Sequence, residues 1–242
     1  FQIDAGNLQK KAPMLPLAAN LHLRLATEGR PVPSAEDPDL ESLASAYLEN
    51  CSALERALLE AAAVYGLSIS EDVLDGLLGR FFGQQDRRDL DEALANLHVN
   101  RVLALDRHGN RSFGHHVLRE AIYTQSPRKR RRQLHRIYAE HPEVSSCPIT
   151  TAMHRLKSQP LDAVSSLEVA ADHASVSFDD PKAASLLRAA IRTLQRAQDS
   201  KKVSADGLSS LTLSVARLQC KLAETLRLLG SLDESLTLAA AH

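Results

Sequence analysis

The sequence predicts an all-α fold class: a helical domain with one small β-hairpin, followed by an array of helical hairpins. Apolar residues recur at steps of three and four along most of the chain. Leu and Ala recur throughout, whereas aromatic residues make up only 4% of the chain and Trp is absent. This bias favours helices packed on helices, because β-sandwiches prefer β-branched and aromatic residues.

We predict three regions. Residues 1–38 contain a short helix from Leu15 to Ala26 and a linker with prolines at 31, 33 and 38. Residues 39–145 form the domain with the hairpin, and residues 146–242 form the helical array. Because the chain begins at Phe1 without Met or a signal-peptide layout, we expect it to be a piece of a longer protein.

The first helices have clear boundaries. Ser52 and Glu55 form the S-x-x-E pattern of a capping box, and Gly66 ends the helix that follows. Further on, short runs at Val102–Leu105 and Ser112–His115 flank a His-Gly-Asn turn, which predicts a hairpin. We expect this hairpin to be the only β-structure. A tight hairpin after a compact set of helices is the plan of a winged helix, an elaborated helix-turn-helix.

The array contains the most regular apolar pattern in the chain. From Leu208 to Leu229 apolar residues recur at steps of three and four, Gly230 ends this helix, and another helix starts at Leu232. Such helices are too narrow to bury their own apolar faces, so we expect them to stack as a solenoid. A dimer seam along the 208–229 stripe, and hence a homo-oligomer, is the alternative.

Bulk composition and motifs narrow the class of protein. The formal net charge is −1, so no overall field attracts nucleic acid or anionic lipid. Three scattered cysteines predict reduced thiols in a cytoplasmic protein, and no apolar run approaches membrane-spanning length. Neither H-E-x-x-H nor G-x-S-x-G occurs. We therefore expect no enzyme activity, no metal site and no membrane insertion from this chain.

One segment carries a family resemblance. Residues 113–123 are FGHHVLREAIY, and residues 130–136 are RRRQLHR. This pair resembles the signature that closes the winged-helix region of bacterial STAND-type ATPases, such as the large ATP-binding LuxR-type transcriptional regulators. The helix at 54–66 is similar to the family's helix ending in A-A-V-x-G. Residues 226–236, LRLLGSLDESL, resemble the turn of a tetratricopeptide repeat, with Ser235 in place of the usual Ala.

The resemblance implies a function. In such proteins a P-loop ATPase domain precedes the winged helix and tetratricopeptide-like repeats follow it. This chain has no G-x-x-x-x-G-K-[ST] motif, so ATP or ADP is expected only in the missing upstream domain. The chain would be the regulatory and protein-interaction arm of a signal-transducing transcriptional regulator. Its partners would be its own ATPase domain and a protein or small-molecule signal on the repeats.

His115 is the candidate site residue that the resemblance implies. In related nucleotide switches a Met-His-Asp motif places its His against a phosphate of bound ADP; here Gly114 and His116 replace the flanking residues. An imidazole N–H suits this role because its donor strength depends on protonation near neutral pH. The alternative is that His115 and His116 only cap the helix after the hairpin.

The basic run at residues 128–132, with Arg136, raises the question of whether this helix binds nucleic acid. Five consecutive helical residues point all round a helix, so we expect pairing with acidic neighbours such as Glu120 or Glu140 rather than direct DNA contact. Arg119 and Glu120 are adjacent and are not expected to pair with each other.

A DNA-binding winged helix with an oligomerising helical tail is the alternative function, although residues 86–96 carry four acids against two arginines. An ATPase fragment that lacks its core is a third possibility.

Overall fold

The computed structural model describes residues 40–82, 87–100, 102–114, 116–199 and 205–240. The chain forms two compact units that divide between Arg131 and Arg132. The prediction of a mostly helical chain is confirmed for the described residues. The predicted helix from Leu15 to Ala26, the proline-containing linker and His115 lie outside them. In these described ranges no helix is both long and apolar enough to cross a membrane.

The first unit combines helices with a small sheet. Its elements are α1 (Leu40–Asn50), α2 (Ala53–Tyr65), β1 (Ser68–Ile69), α3 (Glu71–Phe82), α4 (Arg87–Val99), β2 (Leu103–Leu105), β3 (Arg111–Phe113) and α5 (His116–Gln125). Helix α5 packs on α1 and α2, and α2 also packs on α3 and α4. Helix α2 therefore lies at the centre of this unit, and its Leu58 and Leu59 are fully buried.

Helix α2 begins and ends where the sequence predicts. The Ser52 hydroxyl accepts a hydrogen bond from the Glu55 backbone N–H at 3.1 Å, and the Glu55 carboxylate accepts one from the Ser52 N–H at 2.8 Å. At the other end, the Gly66 N–H donates to the Ala62 carbonyl at 3.1 Å. The predicted capping box and the predicted stop are both confirmed.

The sheet has one strand more than expected. Strand β2 pairs antiparallel with β3, with Leu103 opposite Phe113, which is the predicted hairpin. The expectation that this hairpin would be the only β-structure is wrong, because β1 pairs with the other edge of β3, with Ser68 opposite Ser112. A two-residue strand is too short to show a period of two in the sequence. It forms because it satisfies backbone groups on the edge of β3 that would otherwise stay unpaired.

The second unit is a series of helices. Helix α6 (Arg128–Glu140) contains the division between the units, and α7 (Pro142–Ser145), α8 (Pro148–Ser158), α9 (Ala163–Val176), α10 (Asp180–Gln198), α11 (Ala205–Leu228) and α12 (Leu232–Ala240) follow it. From α7 onward each helix packs on the next in sequence. The middle of the predicted apolar stripe at 208–229 is buried in α11. Leu208 and Leu229, at the two ends of the stripe, are exposed.

Ion pairs join two helices that are not consecutive. Glu168 and Asp172 lie one turn apart on α9, and Arg217 and Lys221 lie one turn apart on α11. The Glu168 carboxylate binds Arg217 at 2.7 Å through its Oε2 and Lys221 at 2.8 Å through its Oε1. Lys221 also lies 3.1 Å from Asp172. Hydrogen bonds from Arg217, followed by those of Lys221, hold the pKa of Glu168 below its usual value although partial burial opposes this.

Candidate functional site

The junction of β3 and α5 contains the residues that the sequence singled out. Strand β3 ends at Phe113, whose side chain is buried, and the Gly114 N–H donates to the Val102 carbonyl at 3.3 Å. Helix α5 begins at His116, which is exposed. His115 lies outside the described residues, so its sensor role stays a prediction. The residues on both sides of it are nevertheless anchored: Gly114 is bonded to Val102, which directly precedes β2, and His116 begins a helix.

Arg119 and Glu120 form an ion pair, with 2.7 Å between Nη2 of Arg119 and Oε2 of Glu120. The expectation that they would not pair is wrong. Neighbouring positions on a helix point in different directions, but both side chains are long enough for their charged ends to meet. Arg119 also lies 3.3 Å from the Ala63 carbonyl in the last turn of α2. A cation at a helix C-terminus is favourable, so Arg119 ties α5 to the central helix of this unit.

The basic run spreads its charge over several partners. Within the first unit, Nε of Arg130 lies 3.1 Å from the buried Glu60 carboxylate. The guanidinium of Arg131 lies 4.8 Å from the centre of the Tyr123 ring, which is a cation–π contact. Arg130 and Arg131 therefore contact two different helices of this unit, α2 and α5.

Arg132 and Arg136 belong to the second unit. Arg132 donates two hydrogen bonds to the Ser158 carbonyl at the end of α8, at 3.1 and 3.0 Å. Arg136 pairs with Glu140 at 3.3 Å, as expected, while the other expected acid, Glu120, pairs with Arg119 instead. The arrangement agrees with a run that points all round its helix.

Helix α4 presents charges of both signs. Its exposed residues include Arg87, Arg88, Asp89, Asp91 and Glu92. Arg87 lies 2.7 Å from the Asp75 carboxylate and 3.8 Å from that of Asp91. A surface with three exposed carboxylates in its first two turns is unfavourable for approach to a phosphate backbone.

The hairpin turn depends on a residue that sequence reasoning missed. The Asp106 carboxylate accepts hydrogen bonds from the backbone N–H groups of His108 at 2.7 Å and Asn110 at 3.0 Å. The hydroxyls of Ser68 and Ser112 lie 3.2 and 3.3 Å from its other oxygen. Desolvation opposes ionisation of Asp106, but these hydrogen bonds prevail and lower its pKa. An Asp two residues before the His-Gly-Asn turn residues is the signal of an Asx-turn that could have identified it.

The second unit buries two histidines that the sequence did not single out. His135 on α6 and His154 on α8 are both almost inaccessible, and the Tyr138 ring lies 5.3 Å from that of His154. Burial, together with the positive charge of Lys157, lowers the pKa of His154 from 6.5 to about 4. The sequence gives only a weak signal that His135 is buried, namely its place on the apolar face of its helix. The buried positions of that helix are 134, 135, 138 and 139, so His135 lies between Leu134 and Tyr138 on this face.

Within the described ranges, no three His, Cys, Asp or Glu side chains come together in a way that could hold a metal ion. Comparison of the chain with protein-family models, curated proteins and solved structures finds no match. The resemblance to STAND-type ATPases, and the nucleotide expected in an upstream domain, therefore stay predictions.

Proposed function

We propose that this chain is the regulatory and protein-interaction arm of an ATP-dependent, signal-transducing transcriptional regulator of the STAND type. In this proposal, the first unit is a winged helix that responds to the nucleotide in an upstream ATPase domain. The helices of the second unit are tetratricopeptide-like repeats that receive a protein or small-molecule signal.

The order of elements in the first unit supports the winged helix. Helix α2, strand β1, helices α3 and α4, and the β2–β3 hairpin follow one another, and β1 closes the sheet beside β3. This is the order of elements expected of a winged helix, in which a hairpin follows a helix-turn-helix.

Two features of the second unit support the repeats. Its helices from α7 onward pack on their sequence neighbours, as the helices of a solenoid do. In the turn between α11 and α12, Gly230 adopts a φ of +77°, and the Ser235 hydroxyl donates to the Ala223 carbonyl at 2.8 Å. A small residue at position 235 therefore lets α12 approach α11 closely.

The observation that carries the switch proposal is the anchoring of the β3–α5 junction. Gly114 is bonded to the hairpin, and Arg119 is bonded to the end of α2. A contact from residue 115 to a nucleotide phosphate would thus act on both the sheet and the central helix of this unit. Such a contact can bias a two-state arm because it exists in only one of the two states.

The test uses the intact protein that contains this arm. His115→Ala is expected to raise output in the absence of signal, because it removes the proposed hydrogen bond that holds the arm in its resting state. One charge-assisted hydrogen bond is worth about 1.5–3 kcal/mol. That corresponds to a population shift of roughly ten- to a hundredfold. His116→Ala is the matched control and is expected to behave like the wild type. Wild-type output from His115→Ala would contradict the sensor role.

The charges on α4 favour this function over DNA binding. We expect the chain alone to bind duplex DNA weakly and without sequence preference, as measured by a mobility shift at 150 mM salt. A sequence-specific shift that survives this salt concentration would support the alternative of a DNA-binding winged helix with an oligomerising tail.

We also expect no tight ATP or ADP binding by calorimetry, because the chain contains no P-loop.

A further inference from the structure

An open groove lies in the second unit between α8 and α10, which both pack on α9. Its volume is about 550 Å³, within the range of small-molecule sites. Leu156 of α8 and Pro160 and Leu161 of the following turn line one side. Helix α10 supplies the other side, which includes Ala189 and Arg192.

Two cations face this groove. Arg192 and Arg196 lie one turn apart on α10, and both line the groove and are exposed. Among the side chains that the structure describes, neither arginine has a hydrogen-bond or ion-pair partner. Arg188, one turn earlier on the same helix, is by contrast 2.8 Å from the Glu234 carboxylate. No acidic residue of the described ranges lines the groove, so two positive charges face it without compensation from the described walls.

The wall opposite the arginines is apolar. Leu161 is 56% exposed, and Leu156 is half-buried against the core of the unit. Exposed apolar surface of this kind gains free energy when a ligand covers it. The hydroxyl of Thr193, which also lines the groove, donates its proton to the Ala189 carbonyl at 2.8 Å. Among the groove-lining side chains that the structure describes, the two guanidinium groups are therefore the donors that remain for a ligand.

We propose that this groove binds a small organic acid, in which a carboxylate is attached to a short aliphatic chain. The guanidinium groups of Arg192 and Arg196 bind the carboxylate, since their planar donor geometry matches its two oxygens. The aliphatic chain covers Leu161 and Leu156. Binding by this groove does not depend on the nucleotide switch. Only its role as the input signal of the arm rests on the function proposed above.

The test is calorimetric titration of the whole 242-residue chain with octanoate, below the concentration at which octanoate self-associates. We expect saturable binding of one octanoate, and binding of uncharged octanamide at least roughly tenfold weaker, because a hydrogen bond to a charged group is lost. R192Q/R196Q is expected to weaken octanoate binding by roughly tenfold or more. Leu161→Asp, which places a negative charge on the apolar wall, is expected to weaken it as well.

The matched control is K182Q/R227Q, which removes two exposed positive charges of the same unit outside the groove. It is expected to bind octanoate like the wild type, and circular dichroism checks that every variant folds. Equal binding of octanoate and octanamide, or unchanged binding by R192Q/R196Q, would overturn the proposal. Flotation with phosphatidylglycerol vesicles without octanoate binding would overturn it in favour of a lipid surface. The octanoate titration uses the 242-residue chain without an ATPase domain. A failure to bind octanoate would therefore leave the outcome of the His115 test unaffected.

Discussion

The Nδ1 atoms of His135 and His154 lie 2.9 Å apart in the interior of the second unit. A hydrogen bond at this distance needs one ring to donate and the other to accept, so the pair is satisfied when both imidazoles are neutral and in complementary tautomers. Protonation of the accepting ring at its Nδ1 would remove the acceptor and place a charge in a buried site. The contact between α6 and α8 is therefore sensitive to acid.

We expect the free energy of unfolding to fall as the pH falls from 6.5 to 4. The pKa of His154 is about 4 in the folded chain and about 6.5 when unfolded, so the unfolded state binds more protons in this window. The stabilisation is fully present above pH 6.5, and its loss is worth roughly 3 kcal/mol by pH 4. Urea denaturation followed by circular dichroism at pH 7.5, 5.5 and 4.5 measures this change in the free energy of unfolding.

The variant His154→Leu removes this titration, so its stability should depend less steeply on pH than that of the wild type. His173→Gln, which changes an exposed histidine on α9, should retain the wild-type slope. Equal slopes for His154→Leu and the wild type would show that other groups cause the acid sensitivity.

Arg130 and Glu60 give a second prediction. The Glu60 side chain is only 11% exposed, so Arg130→Met should leave a buried carboxylate without its closest cation. We expect a loss of about 2 kcal/mol in the free energy of unfolding. Arg136→Met removes an exposed pair on the same helix and should cost less than about 0.5 kcal/mol. Equal losses in the two variants, measured by urea denaturation, would contradict the assigned role of Arg130.

Local chemistry explains which features the sequence predicts. The capping box of Ser52 and Glu55 and the stop at Gly66 involve residues within a few positions of each other, so their spacing is visible in the sequence. Strand β1 and the His135–His154 pair depend on residues brought together from 19 to more than 40 positions apart. No local pattern specifies such partners. The same limit applies to Arg192 and Arg196, whose significance comes from a groove formed with α8.

Cys147 is expected to be more reactive than Cys220, although both are exposed. The Thr150 hydroxyl lies 3.2 Å from the Cys147 sulfur, and this hydrogen bond, with one from the Thr150 backbone, lowers the pKa of the thiol. The thiolate is the nucleophile, so iodoacetamide at pH 7.5 should modify Cys147 severalfold faster. Peptide mass spectrometry measures both rates in one sample. Thr150→Val should reduce the difference, and equal rates in the wild type would refute this prediction.

Phe178 offers a stabilising substitution. It has a φ of +59°, in the left-handed region, and its side chain is 92% exposed. A bulky residue in this conformation is strained, whereas Asn tolerates it. Phe178→Asn should therefore raise the free energy of unfolding by about 1 kcal/mol. Val176→Asn, at an exposed helical position nearby, should give no gain. A lower urea midpoint for Phe178→Asn would indicate that the ring makes a stabilising contact.

The ion pairs between α9 and α11 also have a geometric consequence. Glu168 and Asp172 are spaced by one turn, and so are Arg217 and Lys221, so each charged row matches the other at a single alignment. Sliding α11 along α9 by one turn, about 5.4 Å, would leave one carboxylate and one cation unmatched. Smaller displacements would weaken all the pairs together. The ion pairs therefore favour one axial register of α11 along α9 over the registers one turn to either side.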